Sequence, residues 1–280
     1  MAIVTFISNE TKETGQTLTT CAIATALSIE HNASVLLVPT DFNDDTAECA
    51  FYDKSTSKDN FGFLKNLGRV DRDITNGIEG LVRVFSSNRG SKDVIKSYTK
   101  SIIRERLDML LPPNTKLPNE YNNTAIFYPA IIETANQVYD YVIVDLDKEM
   151  KKETKDRIME ISNIVVDLIR QDPRSIQNFM ALKEKNEFYA KKNIMIGLGK
   201  YNIESKYTQK NVARYLKEKN IPICVPYDPI FSDNCKVGKI IDYFLSIKSL
   251  TFKDLRQGEF YNKVVDSVAR IIETKMNLGI

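Results

Sequence analysis

The sequence predicts an α/β fold, a doubly wound domain with a mainly parallel sheet. Short apolar runs at residues 3–7, 34–38 and 164–169 lack polar alternation, which is typical of buried parallel strands. Stretches with apolar residues at helical spacing lie between these runs, and such alternation is typical of the α/β class. The 280 residues are 42% hydrophobic and 27% charged, enough to bury a large core. We expect residues 1–280 to form one domain.

A polar loop, residues 8–16, joins the first predicted strand to the first predicted helix. From Thr17 the pattern is helical, and one face carries Leu18, Cys21, Ile23, Ala24 and Leu27. A helix that begins after such a loop presents unpaired N–H groups and the positive end of its dipole. The stretch is therefore a predicted site for phosphate.

Two more predicted strands lead into an aspartate. The run at 34–38 is followed by Asp41, and residues 139–147 read YDYVIVDLD with Asp145 at the end of the apolar part. Ligands of doubly wound folds bind at the carboxyl ends of strands, so we expect both aspartates to face the first loop. Two structural alternatives stay open: Asp41 as a turn or helix-capping residue, and Asp145 as an ordinary strand end.

The remaining pattern predicts further elements. Residues 44–78 indicate short helices and a loop. Strands are predicted at 80–86, 193–198 and 221–228, and helices at 92–111, 126–138, 172–185, 205–219 and 267–276. Residues 114–123 are a predicted polar loop.

On these residues the chain resembles the ParA/MinD family of deviant Walker A ATPases, whose loop reads K-G-G-x-G-K-[ST]. When the two loops are aligned on Gly15-Gln16-Thr17, Thr11 stands at the position of the family's signature lysine. Gln16 stands at the position of its second lysine. Lys12 and Glu13 replace the two inner glycines. The strand before Asp145 resembles the family's Walker B strand.

The later segments resemble the family as well. Residues 225–228 read VPYD, as in the family's last strand, and residues 205–212 read SKYTQKNV. These two segments are most similar to the branch around TadZ and CpaE, which place secretion and pilus machinery at cell poles.

The resemblance implies a cofactor, ATP or ADP with Mg²⁺, and a set of site residues. Nucleotide contacts are implied for Lys12, Gly15, Gln16, Thr17, Lys200, Tyr201, Tyr227 and Asp228. Metal ligation is implied for Thr17 and Asp145. Asp41 would be catalytic and would orient the attacking water.

The substitutions in the loop predict a weakened nucleotide site. The Gln16 amide carries no charge, and a hydrogen bond to a charged group contributes about 1.5–3 kcal/mol. Glu13 adds a carboxylate and resists the backbone angles that glycine adopts. We therefore expect weak or absent ATPase activity in a homodimer that binds a protein partner of a partition, pilus or secretion system. The alternative is an active ATPase that positions DNA or protein complexes.

Charge and cysteine content limit the other possibilities. The net charge of +2 gives no overall attraction to nucleic acid, so non-specific DNA binding needs a local patch. The basic residues within 205–219 are such a candidate, or else an ordinary solvated helix face. Four scattered cysteines predict reduced thiols and argue against a nitrogenase-reductase type of relative, which uses paired cysteines. With no signal-peptide pattern and no long apolar run, we expect a cytoplasmic protein without a transmembrane segment.

Overall fold

The strands of the sheet form from the short apolar runs. The computed structural model describes residues 1–10, 13–52, 77–115, 117–191, 194–249 and 255–280. Its strands are β1 (Ala2–Ile7), β2 (Val35–Pro39), β3 (Lys100–Ile103), β4 (Leu107–Met109), β5 (Tyr141–Asp145), β6 (Ile164–Ile169), β7 (Ile194–Tyr201) and β8 (Ile223–Pro226). They lie in one sheet in the order β3-β4-β2-β5-β1-β6-β7-β8, and all neighbours are parallel except β3 and β4. The predicted mainly parallel α/β fold is confirmed.

Helices cover both faces of this sheet. They are α1 (Gln16–Glu30), α2 (Thr46–Phe51), α3 (Ile78–Ser86), α4 (Lys92–Ile95), α5 (Pro118–Ala125), α6 (Tyr128–Ala135), α7 (Lys152–Ile161), α8 (Pro173–Lys185), α9 (Glu187–Lys191), α10 (Gln209–Leu216), α11 (Pro229–Lys236), α12 (Ile240–Ser249) and α13 (Leu255–Asn277). Val4 and Phe6 of β1 pack in a core with α1 and α13, whereas Ile3 and Ile7 pack in a core with α6. In the part of the chain that the structure describes, no helix combines the length and the hydrophobicity that crossing a bilayer requires.

The three central strands end level with one another. Phe6 of β1 and Pro39 of β2 both pair with Asp145 of β5. Pro39 is the last residue of its strand, where a missing N–H does not interrupt the ladder. This register places Asp145 in the middle of the carboxyl edge of the sheet, beside the start of α1.

The predicted strand at 80–86 is wrong, because these residues lie in α3. Ile78, Leu81, Val82 and Phe85 follow helical spacing, and all four pack in or against one core. The apolar residues of this short segment fit both periods, so the pattern alone does not choose between strand and helix.

The predicted helix at 92–111 is also wrong for most of its length. Only α4 and a 3₁₀ turn at Lys96–Tyr98 are helical, and the antiparallel pair β3 and β4 follows. The turn between these strands contains Glu105 with a positive φ of 64°. Val35 of β2 pairs with Leu107, so the sheet gains two strands at this edge. The predicted loop at 114–123 contains the start of α5, with Pro118 in its first turn.

Predictions elsewhere agree with the structure apart from element ends. The Asp172 carboxylate accepts a hydrogen bond from the Ser175 N–H at 3.0 Å, so α8 begins where the sequence predicts. The helix predicted at 205–219 is shorter, because Thr208 caps α10. The final helix is longer than the predicted 267–276. Much of the 44–78 prediction, together with Thr11 and Lys12, falls outside the described residues.

Candidate functional site

A cavity of about 600 Å³ lies at the carboxyl edge of the sheet. The sequence-predicted site residues that line it are Gly15, Gln16, Thr17, Asp41, Asp145, Lys200, Tyr227 and Asp228. Tyr201 is buried instead in the core beneath α8 and α10, and it is absent from the cavity lining. The structure thus brings together residues from the first loop and from the ends of β2, β5, β7 and β8.

The start of α1 supplies the backbone of an anion-binding site. Gly15 precedes the helix with a φ of 75°, and no side chain of the described residues caps the helix N-terminus. Residues 15–18 all line the cavity. A Cβ at position 15 would lie 3.0 Å from Cγ of Lys200 and would need the strained left-handed conformation, so glycine is the residue this turn requires.

The first loop rests directly on β7. Thr14 is buried, and a Cβ added at Gly199 would lie 2.0 Å from the Thr14 carbonyl oxygen. The next residue, Lys200, has a φ of 47° and extends its side chain past Gly15. Its Nζ lies 3.1 Å from Oε2 of Glu13. The loop position therefore depends on the small residue at 199, and Lys200 is paired with a carboxylate.

Gln16 points its amide into the edge of the sheet. Its Nε2 donates to Oδ1 of Asp145 at 2.7 Å, to the Leu146 carbonyl at 3.0 Å and to the Phe6 carbonyl at 3.2 Å. An amide nitrogen has two hydrogens, so these three acceptors use its full donor capacity. The side chain at the position of the P-loop lysine thus ties β1, β5 and α1 together.

Asp145 lies at the floor of the cavity with little exposure. Burial raises the pKa of its carboxyl to about 6, although hydrogen bonds from Gln16 and Thr17 oppose the rise. Thr17 and Asp145 are therefore neighbours, as the predicted metal site requires. Among the described residues, however, no group of three or more histidine, cysteine, aspartate or glutamate side chains is arranged to hold a metal ion.

Acidic side chains dominate the described lining of the cavity. The carboxylates are Glu10, Glu13, Asp41, Asp44, Asp145, Asp147, Glu149 and Asp228, and the described lysines are Lys148 and Lys200. Burial also raises the pKa of Asp147 to about 6. Asp44, Asp147 and Glu149 are missing from the sequence-predicted set. The position of Asp147 could have been predicted, because it lies two residues after Asp145 and β5 ends at Asp145.

Two of the predicted residues have a clear structural role. Oδ1 of Asp41 accepts the N–H groups of Asn43 and Asp44 at 2.7 and 3.3 Å, which supports the turn interpretation. The Asp228 carboxylate caps α11 by accepting the Phe231 N–H at 2.7 Å. The catalytic role of Asp41 and the nucleotide contacts of Asp228, Tyr227 and Tyr201 stay predictions.

A strand, a loop, a helix N-terminus and a strand-end aspartate in this order define a P-loop type of α/β fold. Solved structures narrow this to the ParA/MinD type. A ParA family ATPase from Chlorobium tepidum matches with a TM-score of 0.65 and 17% identity, covering 96% of this chain and 98% of that chain. MinD from Pyrococcus horikoshii, complexed with Mg-ADP, matches with a TM-score of 0.64 and 14% identity, over 96% and 95%. MinD in the MinC:MinD complex of Aquifex aeolicus matches with a TM-score of 0.61 and 17% identity, over 98% and 96%.

The chain therefore has the ParA/MinD fold, as the resemblance in its motifs predicts. No protein-family model matches the sequence, and no curated protein matches it. At 14–17% identity the structural likeness establishes the fold, and the site residues are interpreted from their own contacts.

Proposed function

We propose that this is a ParA/MinD-like localisation or partition protein with a degraded nucleotide site, which acts mainly by dimerisation and by binding a protein partner. The inward-facing amide of Gln16 carries the proposal. Asp145 and two main-chain carbonyls occupy its hydrogens, so this side chain offers phosphate neither a charge nor a free donor. In a working site of this type a lysine supplies both.

The cavity has the backbone of a triphosphate site without the matching side chains. Its volume and the uncapped start of α1 suit a phosphate group. The described carboxylates, however, would repel a polyanion, and one of the two described lysines is paired with Glu13. The described side chains therefore suit the anionic phosphates of ATP or ADP poorly. The proposal assigns this site weak nucleotide binding or none.

Dimerisation and partner binding are proposed from the fold and the surface. One relative of this fold, Aquifex MinD, is found in a complex with MinC. Beside the cavity of this chain, Tyr227 and Ile230 expose large apolar side chains that a second copy would cover. We propose that residues 1–280 act as one domain in the cytoplasm, with a partner from a partition, pilus or secretion system.

DNA is a further proposed ligand. The basic residues in and around α10 are exposed: Lys206, Lys210, Arg214, Lys217 and Lys219. Exposure suits both a phosphate-binding surface and an ordinary solvated helix face. Titration with duplex DNA at two salt concentrations distinguishes a phosphate-binding surface from a solvated helix face, because binding through phosphate contacts weakens steeply as salt rises.

Nucleotide titration tests the main proposal. We expect calorimetry with Mg-ATP to show no binding tighter than about 1 mM, which corresponds to about 4 kcal/mol. We also expect phosphate release at the background rate. Micromolar binding with turnover that is lost in Asp41→Ala and kept in the control Asp93→Ala would overturn it. That outcome would establish the alternative, an active ATPase. Asp93 is an exposed aspartate of α4 and suits the control.

A further inference from the structure

A second cavity lies beside α8, on the other side of the first loop. Its volume is about 390 Å³. We call it the α8 cleft, and its walls include Asn9, Glu10, Asp167, Ile169, Phe179 and Leu182. It shares only Glu10 with the described lining of the main cavity.

Asp167 is a buried carboxylate that faces the α8 cleft. Its neighbours on β6, Val166 and Leu168, pack on the opposite face of the sheet with α1. Asp167 and Ile169 therefore point toward α8, because side chains alternate along a strand. Asp167 is 1% exposed.

Hydrogen bonds from the described part of the chain reach one of the two Asp167 oxygens. Oδ2 accepts Nδ2 of Asn9 at 2.8 Å and the Tyr189 hydroxyl at 2.7 Å. Oδ1 is buried and has no hydrogen-bond partner among the described residues. Buried polar atoms in folded proteins are nearly always paired, so this oxygen is open to a further donor.

The rest of the cleft suits a cation on an apolar stem. Ile169, Phe179 and Leu182 provide apolar surface beside the carboxylate. Glu10 adds a second carboxylate, which the Ser175 hydroxyl holds in position. The Lys185 side chain also lines the cleft, but it belongs to an exposed residue at the end of α8 and can turn into solvent.

We propose that the α8 cleft binds an alkylammonium group, which donates to Oδ1 of Asp167 and to the Glu10 carboxylate. The alkyl stem packs on the apolar wall. Asn9 lines the cleft, and its amide donates to the other oxygen of the same carboxylate. Such a group is carried by a free alkylamine or by a lysine side chain of another protein.

Binding of small probes tests the proposal in the absence of nucleotide. The full-length chain is titrated with butylammonium and with butanol, a neutral molecule of the same stem length, and binding is followed by NMR. We expect butylammonium to bind at least tenfold tighter than butanol. We expect Asp167→Asn to remove this difference. Glu160→Gln should leave it intact, because Glu160 lines a different cavity, together with Lys152 and Met159.

Folding of the variants is checked by circular dichroism. If Asp167→Asn does not fold, Glu10→Gln replaces it, with about threefold weaker binding expected. Equal affinity for butylammonium and butanol would overturn the proposal, as would unchanged affinity in a folded Asp167→Asn. N-acetyl-lysine amide distinguishes the two sources. Tighter binding than butylammonium indicates a protein lysine, and weaker binding indicates a free amine.

Discussion

Gln16 and Asp145 connect three segments at the floor of the main cavity. The amide of Gln16 bridges the end of β1, the end of β5 and the start of α1. Asp145 in turn accepts from Gln16 at 2.7 Å and lies beside Thr17 in the cavity lining. The side chain at position 16 thus links three segments of the fold.

Removal of the Gln16 amide is expected to destabilise the protein. Gln16→Ala leaves the Asp145 carboxylate and two carbonyls without their donor, which lowers the free energy of unfolding by about 1–3 kcal/mol. Urea unfolding followed by circular dichroism measures this. The control is Gln177→Ala, on an exposed face of α8, with an expected change within about 0.5 kcal/mol. Equal effects of the two substitutions would contradict this role for Gln16.

Asp167 is expected to make stability depend on pH. Burial raises the pKa of Asp167 to about 6, against about 3.9 in an unfolded chain. Between these values the folded state binds more protons, so this carboxyl favours folding at low pH and the advantage is lost as pH rises through about 6. Its contribution to the free energy of unfolding is roughly 1–3 kcal/mol, because each unit of difference between the two pKa values corresponds to about 1.36 kcal/mol.

Urea unfolding between pH 4.5 and 7.5 measures this dependence. Asp167→Asn should become more stable relative to the unmodified protein as pH rises across this range. Asp93→Asn, which changes an exposed carboxylate, should show no such trend. A constant difference between Asp167→Asn and the unmodified protein at all pH values would contradict the prediction.

At the scale of elements, the site depends on how the first loop packs against β7. The Thr14 carbonyl occupies the space that a side chain at Gly199 would need. Lys200 then leaves the strand with a positive φ and reaches Glu13. The strand thus sets the path of a loop that lies far from it in the sequence.

Two glycine substitutions are expected to have opposite effects. In Gly199→Ala the new Cβ would lie 2.0 Å from the Thr14 carbonyl oxygen, so the loop must move, and we expect about 1–3 kcal/mol of destabilisation. In Gly258→Ala, within α13, the new Cβ meets no atom of the described residues within 4 Å. Helix propensity then adds about 0.5–1 kcal/mol of stability. Thermal unfolding measures both, and a neutral Gly199→Ala would contradict the close packing of the loop.

At the scale of the whole molecule, the cavity face is the proposed dimer surface. Tyr227 is 58% exposed at the cavity and Tyr215 is 59% exposed on α10, so they form a matched pair. We expect sedimentation to show a homodimer without nucleotide at tens of micromolar protein. Tyr227→Glu should shift it to monomer, because a charge would be buried in the contact, and Tyr215→Glu should not. A monomer in the unmodified protein would contradict the proposal.

Much of the fold follows from local sequence pattern. Apolar runs that are buried on both faces have no polar alternation, so the central parallel strands are recognisable, and the Asp172 cap marks the start of α8. Patterns fail where one set of residues fits two periods, as in α3, and where a short hairpin at 100–109 resembles a helix. In those segments the neighbouring core decides between the two conformations.

The candidate site, like the fold, was predictable from the sequence only in part. Local sequence pattern predicts most of the residues at the carboxyl edge of the sheet, because strand ends and the first loop are local features. It misses Asp44, Asp147 and Glu149, and Tyr201 lies in the core instead. The contacts of these residues follow from the tertiary fold, since their partners lie far along the chain. Gln16 meets Asp145 across 129 residues, and Asp167 meets Asn9 across 158. Hydrogen bonds of this kind depend on distances in space, and spacing along the sequence carries no record of them.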